Sequence, residues 1–175
     1  GTQDWVPLGA LPVHVPNAVI TLEDPSFLRH KGVLPASLKV ALTDNLDRGE
    51  LYRGGSTITQ QLAKNLWLLR SKTITRKAEE AFLTFALESC LNKSQILELY
   101  LNVVEFGPDV YGIGPAARYH FKKEANRLTL DEAYYLASIL PQPKTALPAS
   151  QGGLLQARRL MDTLAQNNRI PEFLA

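Results

Sequence analysis

The chain has 175 residues, of which 45% are hydrophobic and 21% are charged. That length fits one domain with a proper core, and this composition argues against a disordered or collagen-like chain. Nineteen lysines and arginines against 17 aspartates and glutamates leave a net charge of +2, so bulk electrostatics predict no nucleic-acid partner.

Helix signals recur along the chain and strand signals are nearly absent, so the sequence predicts a mainly α domain. A first helical segment is expected from Pro16 to Leu22. Pro35 suits the first turn of a second helix, which Gly49 closes. Thr57 and Gln60 have the spacing of a capping box ahead of an apolar run, which predicts a third helix.

A long helix is predicted next, from about Ile74 to Leu91. Cys90, the only cysteine, lies near its end, so an intramolecular disulfide is excluded. Because Phe85, Leu87 and Leu91 form an apolar helical pattern around it, we expect a buried thiol rather than a reactive one.

Ser94 has the side chain of a helix cap, and the helix after it is expected to run through Val104. A glycine-rich loop, FGPDVYGIGP, follows, and Pro115 can start another helix.

The last part of the chain is also expected to be helical. Thr129 and Glu132 form a second capping box, and Pro141 ends the helix that follows. A final amphipathic helix is predicted at about 154–168, and residues 1–175 are expected to form one domain.

The stretch GGSTITQQLAKN, from Gly54 to Asn65, is the most distinctive in the chain. It is no P-loop, because the lysine follows Leu62 and Ala63 inside a helix, and it lacks the second glycine of a nucleophile elbow. A flexible glycine pair before a helix amino terminus suits an anion. A capped helix without such a role is the alternative.

Charged residues concentrate on both sides of this stretch. Five cations occur within fourteen positions, and Glu80 follows them: Lys64, Arg70, Lys72, Arg76 and Lys77. They form either a solvated face with a surface ion pair or a cationic site beside a carboxylate. Upstream, LEDPSFLRHKG holds Glu23, Asp24 and His30. By themselves, adjacent acids in a turn are most often helix starts or solvated residues, and a lone histidine is more often a structural hydrogen-bonder than a ligand or a base.

Together these stretches resemble the bacterial peptidoglycan glycosyltransferases, the polymerase module of class A penicillin-binding proteins and of monofunctional transglycosylases. Five family motifs occur in order over about residues 11–148, and the continuation of the fourth looks closest to the monofunctional branch. They are E-D-x-x-F-x-x-H-x-G at 23–32, G-G-S-T-[IL]-[TS]-Q-Q-L-x-K-N at 54–65, R-K-x-x-E at 76–80, I-L-E-x-Y-L-N at 96–102 and L-x-x-x-E-A-x-x-L-A at 128–137.

The resemblance implies a lysozyme-like fold with a large lobe, a smaller jaw and a cleft between them. It implies transfer of a polyprenyl-diphosphate-linked glycan onto the 4-hydroxyl of lipid II through a new β-1,4 bond. Such a reaction needs a carboxylate to remove the acceptor proton and positive charge near the leaving diphosphate.

By this resemblance, Glu23 is the base and Glu80 the second catalytic residue, which orients groups or holds a divalent cation. The cation would be Mg²⁺ or Mn²⁺, and no organic cofactor is expected. The residues expected to contact the sugars and the diphosphate are Lys64, Arg76, Lys77, Gln61, Ser56, Thr57 and Lys72, with Gln60 nearby. Those expected to support the cleft are Asp24, Phe27, His30, Gly54, Gly55 and Asn102, with Glu98.

Two positions depart from the family pattern. Lys72-Thr73 stands where relatives carry Arg-[Ser/Thr], so the bidentate fork is lost. Phe121-Lys122-Lys123 replaces an expected Phe-Gly-Lys. Both glutamates remain, so rate and specificity are affected more than reaction type.

Two other functions remain open: a lipid II-binding scaffold without turnover, and a muramidase suggested by fold analogy alone. The leading hypothesis implies work at the extracytoplasmic face of the bacterial inner membrane, on lipid II and the nascent glycan strand, beside other cell-wall synthesis proteins. No run of eighteen apolar residues occurs. Because the implied substrate is lipid-bound, we expect the natural protein to be anchored by an amino-terminal transmembrane helix that is absent from this sequence.

Overall fold

The computed structural model describes residues 4–33, 56–67 and 75–166, with the backbone alone at 67 and 75–78. The prediction of a mainly α domain is confirmed, and the architecture agrees with a lysozyme-like domain. The α-helices in these ranges are α1 (His14–Glu23), α2 (Ile58–Trp67), α3 (Thr75–Cys90), α4 (Lys93–Val103), α5 (Ile113–Phe121), α6 (Leu130–Ile139) and α7 (Gln151–Gln166). Three short 3-10 helices lie at Leu8–Ala10, Ala125–Arg127 and Pro143–Thr145.

The packing of these helices brings the end of α1 against the start of α2. Helix α1 packs along α6, α2 packs on both α3 and α4, and α7 covers α6. The largest fully buried side chains are Tyr100, Tyr134, Phe27 and Phe106, and burial of aromatic rings dominates core energetics. The motifs at 23–32 and 56–65 therefore meet around one core.

Both predicted capping boxes are confirmed. The Thr57 amide donates to Gln60 Oε1 at 2.9 Å, and the Gln60 amide donates to Thr57 Oγ1 at 3.1 Å. Thr129 and Glu132 make the same reciprocal pair at the start of α6. Each box satisfies two backbone N–H groups that a helix start leaves without partners.

Several boundaries differ from the expected ones. Helices α1 and α5 begin two residues before Pro16 and Pro115, which lie within their first turns. Helix α7 begins at Gln151, where Ser150 Oγ accepts a hydrogen bond from the Gly153 amide at 3.2 Å. The predicted helix from 74 to 91 is confirmed within one residue at each end, as α3.

The predicted cap of α4 is wrong. Asn92, rather than Ser94, is the N-cap, because its side chain accepts from the Gln95 amide while the Gln95 side chain returns to the Asn92 amide. The segment predicted as a glycine-rich loop is not wholly irregular. It contains a short antiparallel ribbon, β1 (Glu105–Gly107) and β2 (Val110–Tyr111).

The expected burial of Cys90 is wrong as well. Cys90 is exposed at the end of α3. The apolar residues near Cys90 do not mark a buried face of the helix, because Phe85 is 68% exposed and Phe82 is 71% exposed. The buried stripe of α3 instead runs through Glu80, Thr84 and Leu87, at helical spacings of four and three.

The helix predicted from Pro35 to Gly49 lies outside the described residues, as do Gly54, Gly55, Arg70 and Lys72. Within the part of the chain that is described, no helix has both the length and the apolar character needed to cross a bilayer.

Candidate active site

Glu23 is the last residue of α1 and is half-buried. Its Oε2 accepts a hydrogen bond from Gln61 Nε2 at 2.9 Å, which joins the first motif directly to α2. Burial raises the pKa of Glu23, the Gln61 bond opposes this rise, and the neighbouring charge of Asp24 adds to it. A carboxylate with a raised pKa is suited to accept a proton near neutral pH.

The adjacent acid, Asp24, has a different environment. It is 3% exposed, and its Oδ2 accepts a hydrogen bond from the Ile58 amide at 3.1 Å, in the first turn of α2. Both of its carboxylate oxygens lie 2.9 Å from His30 Nε2. A carboxylate at a helix amino terminus is stabilised by the free N–H groups and the helix dipole. Asp24 therefore holds α2 in place beside Glu23.

His30 links Asp24 to the backbone of the same turn. Its Nδ1 accepts from the Gly32 amide at 3.0 Å, so Nε2 carries the proton that is donated to Asp24. Gly32 has φ +84°, and an added Cβ would lie 2.6 Å from Thr84 Cγ2 of α3. Only glycine fits this conformation and this close approach. Asp24 and His30 thus make the contacts expected of residues that shape the turn.

Gln61 has a second partner that sequence reasoning missed. Tyr100 of α4, which is fully buried, donates its hydroxyl to Gln61 Oε1 at 2.7 Å. Burial raises the pKa of Tyr100 well above its usual value, and the charges of Glu23 and Asp24 act in the same direction. The sequence showed Tyr100 only as part of an apolar helix face; nothing local indicates a bond to a residue 39 positions earlier.

The remaining predicted contacts on α2 divide by exposure. Ser56 and Lys64 are exposed, and Lys64 lies three positions after Gln61, on the neighbouring part of the same helix face. Thr57 is only 1% exposed, and its hydroxyl donates to the Gly32 carbonyl at 2.5 Å. The prediction of Thr57 as a substrate contact is therefore corrected: its hydroxyl joins two turns of the scaffold.

The third motif opens α3. Arg76 and Lys77 lie in its first turn, and Glu80 follows one turn later. Glu80 is 5% exposed, and Thr84 Oγ1 donates to its backbone carbonyl at 2.7 Å. Because α3 packs on α2 and contacts Gly32 through Thr84, this motif stands beside the turn that carries Glu23.

Phe27 lies under this turn. It is fully buried, and the Lys93 ammonium lies 4.4 Å from its ring centroid. Lys93 also binds Glu88 at 2.7 Å, and Glu88 accepts the Thr59 hydroxyl at 2.5 Å. This contact set ties the turn to α2, α3 and α4, in agreement with a supporting role for Phe27.

The supporting residues of the fourth motif bind the amino-terminal segment. Asn102 accepts from the Val6 amide at 2.8 Å and donates to the Val6 carbonyl at 2.9 Å. Glu98 accepts from Trp5 Nε1 at 3.1 Å and from the Leu8 amide at 2.8 Å. Their contacts hold residues 5–8, and their expected support of the cleft stays a prediction.

The Lys122-Lys123 departure also has a structural account. Lys122 ends α5 in the left-handed conformation, with φ 57°, where a glycine would be unstrained. Lys123 Nζ binds Glu132 at 2.8 Å. Burial alone would raise the pKa of Glu132, but the bonds from Lys123 and Thr129 lower it overall. Lys123 thus braces the α6 cap.

A groove of about 780 Å³ lies away from these residues, between α6, α7 and the 3-10 turn that joins them. Tyr135, Gln142 and Gln156 are among its lining residues, but no carboxylate or cationic side chain is. This groove therefore offers no side chain that could act as a carboxylate base or as a cationic anion site.

Comparison with known proteins identifies the family. A family model described as Transglycosylase matches residues 1–167. The chain belongs to the transglycosylase family. Membership agrees with the Glu23–Gln61 contact, which unites two motifs that are 38 positions apart.

Curated relatives in the family include three named biosynthetic peptidoglycan transglycosylases. The one from Shewanella amazonensis is 48% identical over 141 residues, which is 81% of this chain and 57% of the relative. Those from Shewanella denitrificans and Aromatoleum aromaticum are 45% and 46% identical, over 84% and 81% of this chain. The chain spans 64% and 62% of these two relatives. It thus corresponds to somewhat under two thirds of each.

Proposed function

We propose that the chain is the catalytic module of a peptidoglycan glycan polymerase. Glu23 accepts the proton of the lipid II 4-hydroxyl while that oxygen attacks C1 of the lipid-linked donor. The O4–C1 bond forms, the bond from C1 to the diphosphate oxygen breaks, and polyprenyl diphosphate leaves. The observation that carries this proposal is the half-buried Glu23 carboxylate, with its raised pKa, bound to Gln61 of the GGSTITQQLAKN segment.

The leaving group needs positive charge more than it needs an acid, because a diphosphate is already a weak base. We assign that charge to Lys64 on α2 and to Arg76 and Lys77 in the first turn of α3, with Lys72 before it. Lys64 is exposed on the helix face that carries Gln61, so a ligand at Glu23 lies within reach of its long side chain. Ser56, exposed before α2, is assigned to the same side.

Glu80 is assigned to orient these cations or to share a divalent cation with the diphosphate. Among the described residues, no three His, Cys, Asp or Glu side chains form a metal-binding group. A metal held here would therefore need substrate oxygens as well as Glu80, as is usual for Mg²⁺ at phosphates. When bound, it would neutralise developing charge on the leaving group.

We further propose that this module acts on the extracytoplasmic face of the inner membrane. Its partners would be lipid II, the nascent strand, the membrane surface and other cell-wall synthesis proteins. The support is the polyprenyl chain of the proposed substrate, since a lipid-bound substrate is met only at a membrane.

The test is lipid II turnover by the purified chain in detergent with Mg²⁺, with products sized on a gel. Wild type is expected to form long glycan and Glu23→Gln none, while both give the same circular dichroism. Glu80→Gln is expected to lower the rate strongly. Full activity of Glu23→Gln would overturn the assignment of the base.

Two other outcomes identify the competing functions. A chain that binds lipid II or moenomycin without forming polymer would be a scaffold. Release of fragments from finished peptidoglycan, without use of lipid II, would indicate a muramidase.

A further inference from the structure

The contacts of Gln61 define a chain of three side chains from the core to the proposed base, which we name the base relay: Tyr100, Gln61 and Glu23. Tyr100 Oη donates to Gln61 Oε1 at 2.7 Å, and Gln61 Nε2 donates to Glu23 Oε2 at 2.9 Å. The three residues come from α4, α2 and α1. Their packing therefore decides whether the relay exists.

An amide side chain can turn over and exchange its oxygen and nitrogen. An ionised carboxylate only accepts hydrogen bonds, whereas a protonated one can donate. With its nitrogen toward Glu23, Gln61 favours the charged base; with its oxygen toward Glu23, it would favour the protonated and inactive form. The orientation of one amide thus sets the state of the base.

We propose that Tyr100 is a positioning residue for the base: its hydroxyl holds the Gln61 amide so that an N–H always faces Glu23. Tyr100 is fully buried on α4, so its ring has no room to move away. Its hydroxyl stays protonated across the working range, because burial raises its pKa. The donated proton occupies Gln61 Oε1 and leaves only the nitrogen for Glu23. This inference rests on the proposed function for its effect on rate, but not for its effect on the titration of Glu23.

The titratable and charged groups nearest this site come from the turn that carries Glu23, from α2 and from α6. Asp24 follows it directly and raises the pKa of Glu23. His30 is bound to Asp24, and Lys64 lies one turn beyond Gln61 on α2. On α6, which packs along α1, Tyr134 is directed to Thr21. None of these replaces the hydrogen bond from Gln61, so the relay is separable by substitution.

Tyr100→Phe removes the hydroxyl and keeps the ring. Without the Tyr100 hydroxyl the Gln61 amide is no longer fixed, so its N–H bond to the charged Glu23 weakens, and this is expected to raise the pKa of Glu23 by about 0.5 to 1. We expect a carboxyl ¹³C NMR titration of Glu23, assigned with Glu23→Gln, to show this rise. The acid limb of the kcat profile should move up by the same amount, with KM unchanged within about twofold.

The matched control is Tyr134→Phe, which removes the hydroxyl of a second tyrosine that is only 2% exposed. It is expected to leave the titration of Glu23 and the pH profile where they are in wild type. If Tyr100→Phe and Tyr134→Phe gave the same profile, or if Glu23 titrated unchanged in Tyr100→Phe, the proposal would be overturned.

A double substitution tests whether Tyr100 acts through Gln61. Adding Tyr100→Phe to Gln61→Leu should change the titration of Glu23 no further, because the link is already lost. An equal additional shift in the double variant would contradict the relay.

Two further measurements cover the cases in which Tyr100→Phe does not fold or the wild type is inactive. If Tyr100→Phe does not fold, the relay is tested in the wild-type protein by NMR. The Gln61 side-chain N–H signals should shift as Glu23 titrates, and unchanged signals would contradict the relay. If the wild type makes no glycan, the proposed function fails, while the NMR titrations still decide the relay.

Discussion

Helix α4 takes part in two hydrogen-bonded regions, one that is structural and one that belongs to the proposed active site. Its Glu98 and Asn102, one turn apart, hold residues 5–8, and we name this region the amino-terminal clamp. Tyr100, between them in sequence, turns instead into the core and holds Gln61 in the base relay. Successive even positions of one helix thus serve a structural contact and the proposed active site.

The two regions differ in how many hydrogen bonds their polar side chains can still accept or donate. Both oxygens of Glu98 accept hydrogen bonds, and Asn102 makes three. Glu23 accepts one side-chain hydrogen bond from the described residues, at Oε2. A carboxylate whose oxygens are both engaged stabilises the fold, whereas one with an oxygen left over can bind a substrate proton. Capacity for further hydrogen bonding, rather than residue type, therefore distinguishes the candidate base from the structural acid Glu98.

The largest expected effect is on Glu23. Glu23→Gln should lower polymerisation at least about 100-fold, because a general base contributes about 10²- to 10⁴-fold. Its unfolding free energy in urea should change little, since an amide still fits beside Gln61. If the unfolding free energy also fell by as much as the activity loss corresponds to in free energy, Glu23 would be a structural acid like Glu98.

The same isosteric change in the clamp is the matched control. Glu98→Gln should lower the unfolding free energy by about 1 to 2 kcal/mol, because an amide nitrogen then faces an N–H donor, either Trp5 Nε1 or the partly buried Leu8 amide. Its kcat per folded molecule should remain near wild type. Loss of kcat in this variant would break the separation between the two regions.

Asn102→Ala should be the most destabilising change in the clamp. It removes three hydrogen bonds and leaves the partly buried backbone groups of Val6 without those partners. We expect a loss of about 2 to 3 kcal/mol in urea denaturation. A loss below about 0.5 kcal/mol would show that the segment 5–8 contributes little to the fold.

Lys122 lies outside both regions, so a substitution there gives a stability change that involves neither of them. Lys122→Gly should raise the unfolding free energy by about 0.5 to 1 kcal/mol, because glycine adopts the left-handed conformation at φ 57° without strain. Lys122→Ala, which keeps a Cβ, is the control and should not stabilise. Equal stabilities of the two variants would remove strain as the explanation.

The smallest expected effect is a pH dependence from His120. Burial lowers the pKa of His120 from 6.5, so the unfolded chain binds this proton more readily than the folded one. Stability should therefore fall as the pH drops below about 6.5, at a slope set by that proton. The raised pKa of Glu23 acts in the opposite direction at lower pH, so the measurement is the difference between wild type and His120→Gln across pH 5 to 8. An identical pH dependence in both proteins would exclude His120.

Local patterns predicted local structure well. Two helix starts were predicted from their capping boxes, Thr57 with Gln60 and Thr129 with Glu132. This was possible because a capping box involves only four consecutive residues. At α4 the predicted cap was Ser94, but the actual cap is Asn92, which has the capping-box spacing with Gln95. The ribbon at 105–111 escaped notice because its strands are three and two residues long.

Burial on α3 shows where such patterns fail. Phe85 and Cys90 read as core residues, yet both are exposed, while Glu80 and Thr84 face inward. Which stripe of a helix is buried depends on its neighbours, and α2 and the turn at Gly32 select the polar stripe here. Thr57 is a similar case, since its burial is set by contact with Gly32.

By itself the sequence determined the helical class, two helix caps, the family and the identity of the candidate base, since each depends on residue types at short fixed spacings. Only the tertiary structure decided that Glu23 is bound through Gln61 to Tyr100, that Asp24 caps α2 and that Asn102 holds Val6. These contacts join positions 34 to 96 residues apart. Hydrogen bonds at such separations exist only after the helices pack, so no local pattern encodes them.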